Sequence, residues 1–136
     1  MMISAYSKEA MEVISKSTFE IHKGNFVYAK VNSISSIDEH FLVTRDADEI
    51  TVVTSEKNVA ALDLIERNKD DYRLIALNVS VPFYSVGFLA TISDALANKG
   101  MNILVVSTYS KDYLLVKADL VKIAEGTLLM LGFKQL

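Results

Sequence analysis

The sequence predicts an α+β fold in which antiparallel strands alternate with helices, built twice over in one short chain. Three observations lead there. Residues 72 to 133 read strand, helix, strand, strand, helix. The strand–turn–strand in the middle has a weaker copy earlier, with Val43-Thr-Arg-Asp-Ala-Asp-Glu-Ile-Thr-Val-Val53 beneath Val106-Ser-Thr-Tyr-Ser-Lys-Asp-Tyr-Leu-Leu-Val116 at a constant spacing of 63 residues. In that alignment Glu49 falls on Asp112. Finally, 136 residues suffice for one domain or for two small units sharing a core, since separate cores of about 65 residues are each marginal.

The elements follow in order. Ile3, Tyr6, Ala10, Val13 and Ile14 recur at helical spacing, which predicts a helix over 3–15. Thr18–His22 and Phe26–Val31 are β-rich runs, read as a hairpin turning at Lys23-Gly-Asn25. Ser33–His40 reads as a stunted helix. Phe41–Arg45 and Glu49–Thr54 form a strand pair, after which Ser55 is placed to cap a helix running to Arg67. Tyr72–Val81 is a long strand broken at Pro82, which lacks an N–H. Ser85 is placed to cap a helix with Val86, Leu89, Ser93 and Leu96 on one face, closed by Gly100 in a left-handed conformation. Ile103–Thr108 and Asp112–Ala118 pair next, and Asp119 starts a last helix stopped at Gly132.

This order is ferredoxin-like, βαββαβ, with helices on one face, but only Phe133–Leu136 remain for the final strand. That strand must be very short or borrowed, and Thr18–His22 is the candidate. Ile103–Val106 and Tyr113–Val116 are apolar on both faces, which calls for a second sheet or a neighbouring subunit. The division expected is 1–70 for an incomplete first unit and 71–136 for a second, with no linker between them.

Composition excludes several functions. Without cysteine there are no disulfides, thiolate metal sites or thiol nucleophiles. A net charge of −3 argues against nucleic acid as partner, and strands carrying Leu114, Leu115 and Val116 lack the stacking aromatics of an RNA-recognition sheet. No apolar run reaches the roughly 20 residues of a membrane span, and the N-terminal segment meets Lys8, Glu9 and Glu12 too early for a signal peptide; the expectation is a cytoplasmic protein. Asp38, Asp46, Asp48 and Glu49 lack the spacing of a calcium loop, and His22 and His40 stand alone. No phosphate-binding glycine loop or catalytic triad motif occurs, so no cofactor and no enzymatic activity are expected.

Phe83-Tyr-Ser-Val-Gly-Phe-Leu-Ala90, Gly100-Met-Asn-Ile103 and Ser107-Thr-Tyr-Ser-Lys-Asp-Tyr-Leu-Leu-Val116 are similar to the ACT-domain family, specifically to small stand-alone proteins with two ACT-like units. Thr44–Val53 is a weaker match, and Phe83 and Tyr84 stand where many such domains carry an acidic or amide residue. The resemblance implies a non-catalytic regulatory module that binds an amino acid at the interface between paired units, forms a homodimer or larger assembly, and acts on a regulated enzyme or regulator. It also implies where the ligand lies: against the loop leading into the first helix, Pro82 to Gly87, and the facing strand ends, Ser107 to Asp112.

Residue chemistry fits that placement. Free N–H groups of Val86, Gly87 and Phe88 behind the Ser85 cap suit a carboxylate, and Gly87 allows close approach. Ser107, Thr108 and Tyr109 offer hydroxyls, while Asp112, with Glu49 as its counterpart, offers a carboxylate to an ammonium. The alternative is an oligomerisation domain with no ligand, in which Ser85 only caps and the turn acids are merely solvated.

Overall fold

The computed structural model describes residues 5–79 and 86–136, which form two compact units, 5–22 with 74–136 and 23–73. These bounds differ from a single cut near residue 70, because the N-terminal helix and strand lie with the C-terminal elements.

The larger unit contains α1 (Ala5–Ser15), β1 (Thr18–Ile21), most of β6 (Tyr72–Asn78), α2 (Phe88–Ala97), β7 (Leu104–Ser107), β8 (Asp112–Lys117), α3 (Val121–Leu131) and β9 (Lys134–Gln135). Its strands lie in the order β7-β8-β6-β1-β9. β1 runs antiparallel to β6, with Phe19 opposite Leu77, and parallel to β9, with Thr18 opposite Lys134. Both answers to the missing-strand question are therefore present at once. The chain's own last strand is two residues long, and β1 occupies the place beside β6 that the last strand would otherwise take. The Thr18–His22/Phe26–Val31 hairpin does not form: β1 pairs with β6 and β9, and Gly24 at φ 81° lets the chain turn away instead.

The core explains why these residues make these elements. Ala10, Val13 and Ile14 form the buried stripe of α1. Phe88, Ile92 and Leu96 form that of α2, a face that shares Leu96 with the expected Val86, Leu89, Ser93 and Leu96 set and is otherwise rotated from it. Ala124, Thr127 and Leu128 form that of α3, while Ile123 faces outward. They close over Phe19, Ile75, Leu77, Leu114 and Val116 from the sheet. Phe133 meets Phe19 and Phe88 edge-to-face, each at 6.1 Å between ring centroids. Leu74, Ala76 and Leu115, on the opposite side of the strands, are buried as well. Both faces of β8 are thus already buried within one chain, while Val105 on β7 stays exposed.

Helix ends follow local chemistry. Gly100 (φ 79°) and Gly132 (φ 117°) terminate α2 and α3 in the left-handed region as expected. Asp119 does not cap α3. It sits in a 3-10 turn at Ala118–Leu120, and Leu120 holds the cap position with no side-chain bond. Ser85, Val81 and Pro82 lie outside the described residues.

The smaller unit holds β2 (Phe26–Val31), β3 (Leu42–Arg45), β4 (Ile50–Ser55) and β5 (Leu64–Arg67) in the antiparallel order β3-β4-β2-β5. Val27, Ala29, Val31 and Val52 are its core. The helix expected over Ser55–Arg67 is a 3-10 segment, Glu56–Ala61, without a Ser55 side-chain cap, followed by β5. The β-branched and charged run Leu64-Ile-Glu-Arg67 pairs with β2 rather than coiling. Ser33–His40 is likewise bends and turns rather than a helix. His40 Nδ1 lies 2.9 Å from the buried Thr54 hydroxyl, which also accepts from Asn58 Nδ2.

Candidate functional site

The strand–turn–strand of β7 and β8 is closed by the pair Ser107 and Asp112, with Thr108–Lys111 as a four-residue turn. The Thr108 N–H donates to the Lys111 carbonyl at 2.8 Å. Inward-facing positions on β8 are Asp112, Leu114 and Val116, so the first of the three puts a carboxylate where its successors put hydrocarbon. Asp112 is only 8% exposed, which corrects its reading as a solvated turn acid. Its Oδ1 accepts a 2.6 Å hydrogen bond from the Ser107 hydroxyl.

Opposite stands the start of α2. Gly87 holds the cap position at φ 85°, and the first helical bond runs from the Thr91 N–H to the Gly87 carbonyl at 2.9 Å. Helix geometry leaves the N–H groups before Thr91 without partners inside the helix, at its positive end. Phe88 is 4% exposed and packs on Phe133, which ties this helix end to the core.

Between the two lies a cleft of about 500 Å³ lined by Gly87–Ala90, Ser107–Tyr109 and Asp112. That volume falls in the range of small-molecule sites. Of the residues singled out from sequence, Gly87, Phe88, Ser107, Thr108, Tyr109 and Asp112 come together here. Val86 is 60% exposed and outside the lining, and Ser85 is outside the described residues. Leu89 and Ala90 were missed; the face of a helix's first turn follows from its start, which was placed too early.

Glu49 is elsewhere. It is exposed in the smaller unit, with its Oε1 3.9 Å from Lys30 Nζ, and lines a hollow of about 300 Å³ beside Lys30, Arg45, Asp46 and Asp48. The β3–β4 turn closes at Arg45 and Ile50, so the hairpins correspond at 62 residues rather than 63. The match confirms this: Asp46 N–H donates to the Glu49 carbonyl as Thr108 does to Lys111. In register, Ile50 holds the position of Asp112, and Glu49 that of Lys111. The residue-by-residue alignment missed this because it matched acid to acid rather than turn to turn. Asp46 accepts from the backbone N–H of Asp48 and of Glu49, and these bonds hold its carboxyl below the ordinary value, outweighing a small desolvation effect.

Among the described residues no cluster of three or more His, Cys, Asp or Glu is arranged to hold a metal. No helix among them is long and apolar enough to cross a membrane.

Residues 68–128, spanning β6 through most of α3, match the family model of the ACT domain. This segment is an ACT domain. It is a regulatory rather than a catalytic fold, of α+β ferredoxin-like type. Among solved structures, a Vibrio cholerae protein of unknown function, described as a possible transport protein, is similar at TM-score 0.79 and 22% identity, over 94% of this chain and 99% of that one. A protein from Agrobacterium tumefaciens is similar at 0.66 and 21%, over 88% and 92%. An aspartate kinase from Clostridium acetobutylicum is similar at 0.62 and 12%, over 85% of this chain and 34% of the kinase. No curated protein sequence matches. At these identities the structural likeness speaks for the ACT fold alone.

Proposed function

We propose that this ACT-domain protein is an amino-acid-responsive regulatory module and that the ligand binds in the cleft between the start of α2 and the β7–β8 turn. One observation carries the reading: a buried carboxylate faces the same space as the positive end of a helix. An amino acid is the small molecule whose two charges answer both, its carboxylate at the α2 N–H groups and its ammonium at Asp112.

The smaller unit fits a second, reduced ACT-like unit. Its β2, β3, β4 and β5 take the same antiparallel order as β6, β7, β8 and a fourth strand, with a 3-10 segment where α3 lies and no counterpart of α2. Assembly into a homodimer is part of the proposal. Val105 on the outermost strand β7 is 41% exposed and Met130 on α3 is 80% exposed, apolar surface that a second copy would cover. The output is a change in that assembly or in a bound enzyme or regulator.

A thermal-shift screen against the twenty amino acids tests the reading. A ligand at 100 times its dissociation constant adds about 2.7 kcal/mol of stability, a shift of several degrees. If no amino acid at millimolar concentration moves the transition, the cleft is not such a site.

A further inference from the structure

The charges around the cleft narrow the ligand. Asp112 is the only side chain of full charge among the eight described lining residues; the others are Gly87, Phe88, Leu89, Ala90, Ser107, Thr108 and Tyr109. The sequence leading into the site, from Val79 to Ser93, contains no Asp, Glu, Lys, Arg or His. Lys111, in the adjoining turn, is exposed and outside the lining.

Among the described residues Asp112 therefore has one hydroxyl donor, Ser107, and no cation in the lining beside it. A carboxylate nine-tenths buried needs a positive partner to offset its desolvation, and the ligand is the group left to supply it. Once the ligand's ammonium has taken Asp112 and its carboxylate the helix start, no charge is left for its side chain. A basic side chain would find no second acid, and an acidic one no cation. What remains of the wall is the hydrocarbon of Leu89 and Ala90, the ring of Tyr109, and Thr108, whose hydroxyl donates to the Lys111 carbonyl.

We infer that the cleft selects a neutral amino acid with a hydrocarbon side chain, and that each chain binds one. This rests on the amino-acid reading of the same cleft. The single stoichiometry follows from the hairpin register: the smaller unit carries Ile50 where the larger carries Asp112, its turn acids Asp46, Asp48 and Glu49 are all exposed, and it has no counterpart of α2 to hold a carboxylate.

The test is calorimetric titration of the full chain with leucine, lysine, glutamate and 4-methylpentanoic acid, which is leucine without its amino group. The expected result is one leucine per chain, lysine and glutamate at least about tenfold weaker, and no measurable binding of the deaminated acid. Lysine or glutamate binding as tightly as leucine overturns the selectivity while leaving an amino-acid cleft in place. Two leucines per chain overturn the single stoichiometry. The deaminated acid binding as well as leucine, or Asp112→Asn binding leucine with unchanged affinity, overturns the placement of the ammonium. Failure of every amino acid to bind overturns the amino-acid reading itself.

Discussion

Phe19→Ala tests whether the N-terminal segment belongs to the core of the ACT domain. Phe19 is fully buried on β1 and stacks edge-to-face on Phe133 at 6.1 Å, with an interplanar angle of 88°. Truncating a buried Phe to Ala costs about 3–5 kcal/mol, which includes roughly 0.5–1.5 kcal/mol for the ring pair. Against a total stability of about 5–15 kcal/mol this is severe, and it lowers the melting temperature by roughly 10–15 °C. Urea denaturation followed by far-ultraviolet circular dichroism is the assay. Among the described residues all three α-helices lie in the larger unit, so the helical signal reports on it selectively. The midpoint falls while the slope stays constant. Glu12→Ala, at an exposed position on α1, is the control and stays within about 0.5 kcal/mol of the parent. A loss below about 1.5 kcal/mol for Phe19→Ala would refute the placement of β1 between β6 and β9. A double-mutant cycle with Phe133→Ala separates the ring pair from cavity formation.

Other outcomes follow from the site. Asp112→Asn weakens leucine binding about ten- to a hundredfold by calorimetry, because the ionic hydrogen bond is lost. Its melting temperature changes little, since the Asn amide oxygen still accepts from Ser107; unfolding of this variant would instead assign the acid a structural role. Gly87→Val abolishes binding and also destabilises, because a β-branched residue at φ 85° is strained by about 1–3 kcal/mol; binding unchanged in a folded variant would move the site away from α2. Asp46 titrates below the usual carboxylate range, so its hold on the turn is present above the unfolded-state value and fades as pH falls through the folded one; a carbon-13 titration with an ordinary midpoint would contradict this. Sedimentation velocity at micromolar concentration shows a species larger than 15.1 kDa, whereas a monomer over the whole range excludes the homodimer.

The larger unit was legible because its signals were local and mutually consistent. Gly100 and Gly132 mark helix ends that only a left-handed residue satisfies, and the gap after α3 pointed to the Thr18 strand before any pairing was visible. The smaller unit was harder to read because tertiary pairing overrode local pattern. Val59 and Leu62 pack half-buried on the small core from a 3-10 segment and its end as readily as from a helix, and Leu64–Arg67 becomes a strand because β2 has an open edge there. At the site, sequence singled out the β7–β8 turn and the loop entering α2, which line one cleft, but placed the start of α2 too early. It missed the depth of Asp112, which depends on which face of β8 turns inward, and the true hairpin register, which depends on where the turn closes.

The position of β1 sets an order of events during synthesis. Residues 23–73 are contiguous, and everything that unit needs has been made before the ACT domain is half complete. Phe19, by contrast, precedes that unit in the chain, yet its neighbours on either side are β6 and β9, with Thr18 beside Lys134. β1 must therefore wait for β9, its apolar face unprotected while α2, β7, β8 and α3 are still being added. Such long-range closure slows folding and lengthens exposure to aggregation. The same arrangement acts as a completeness check: a chain cut short before Phe133 leaves Phe19 without its ring partner and Lys134 absent from the edge, so truncated products fail to close this sheet and are marked out by the surface they leave open.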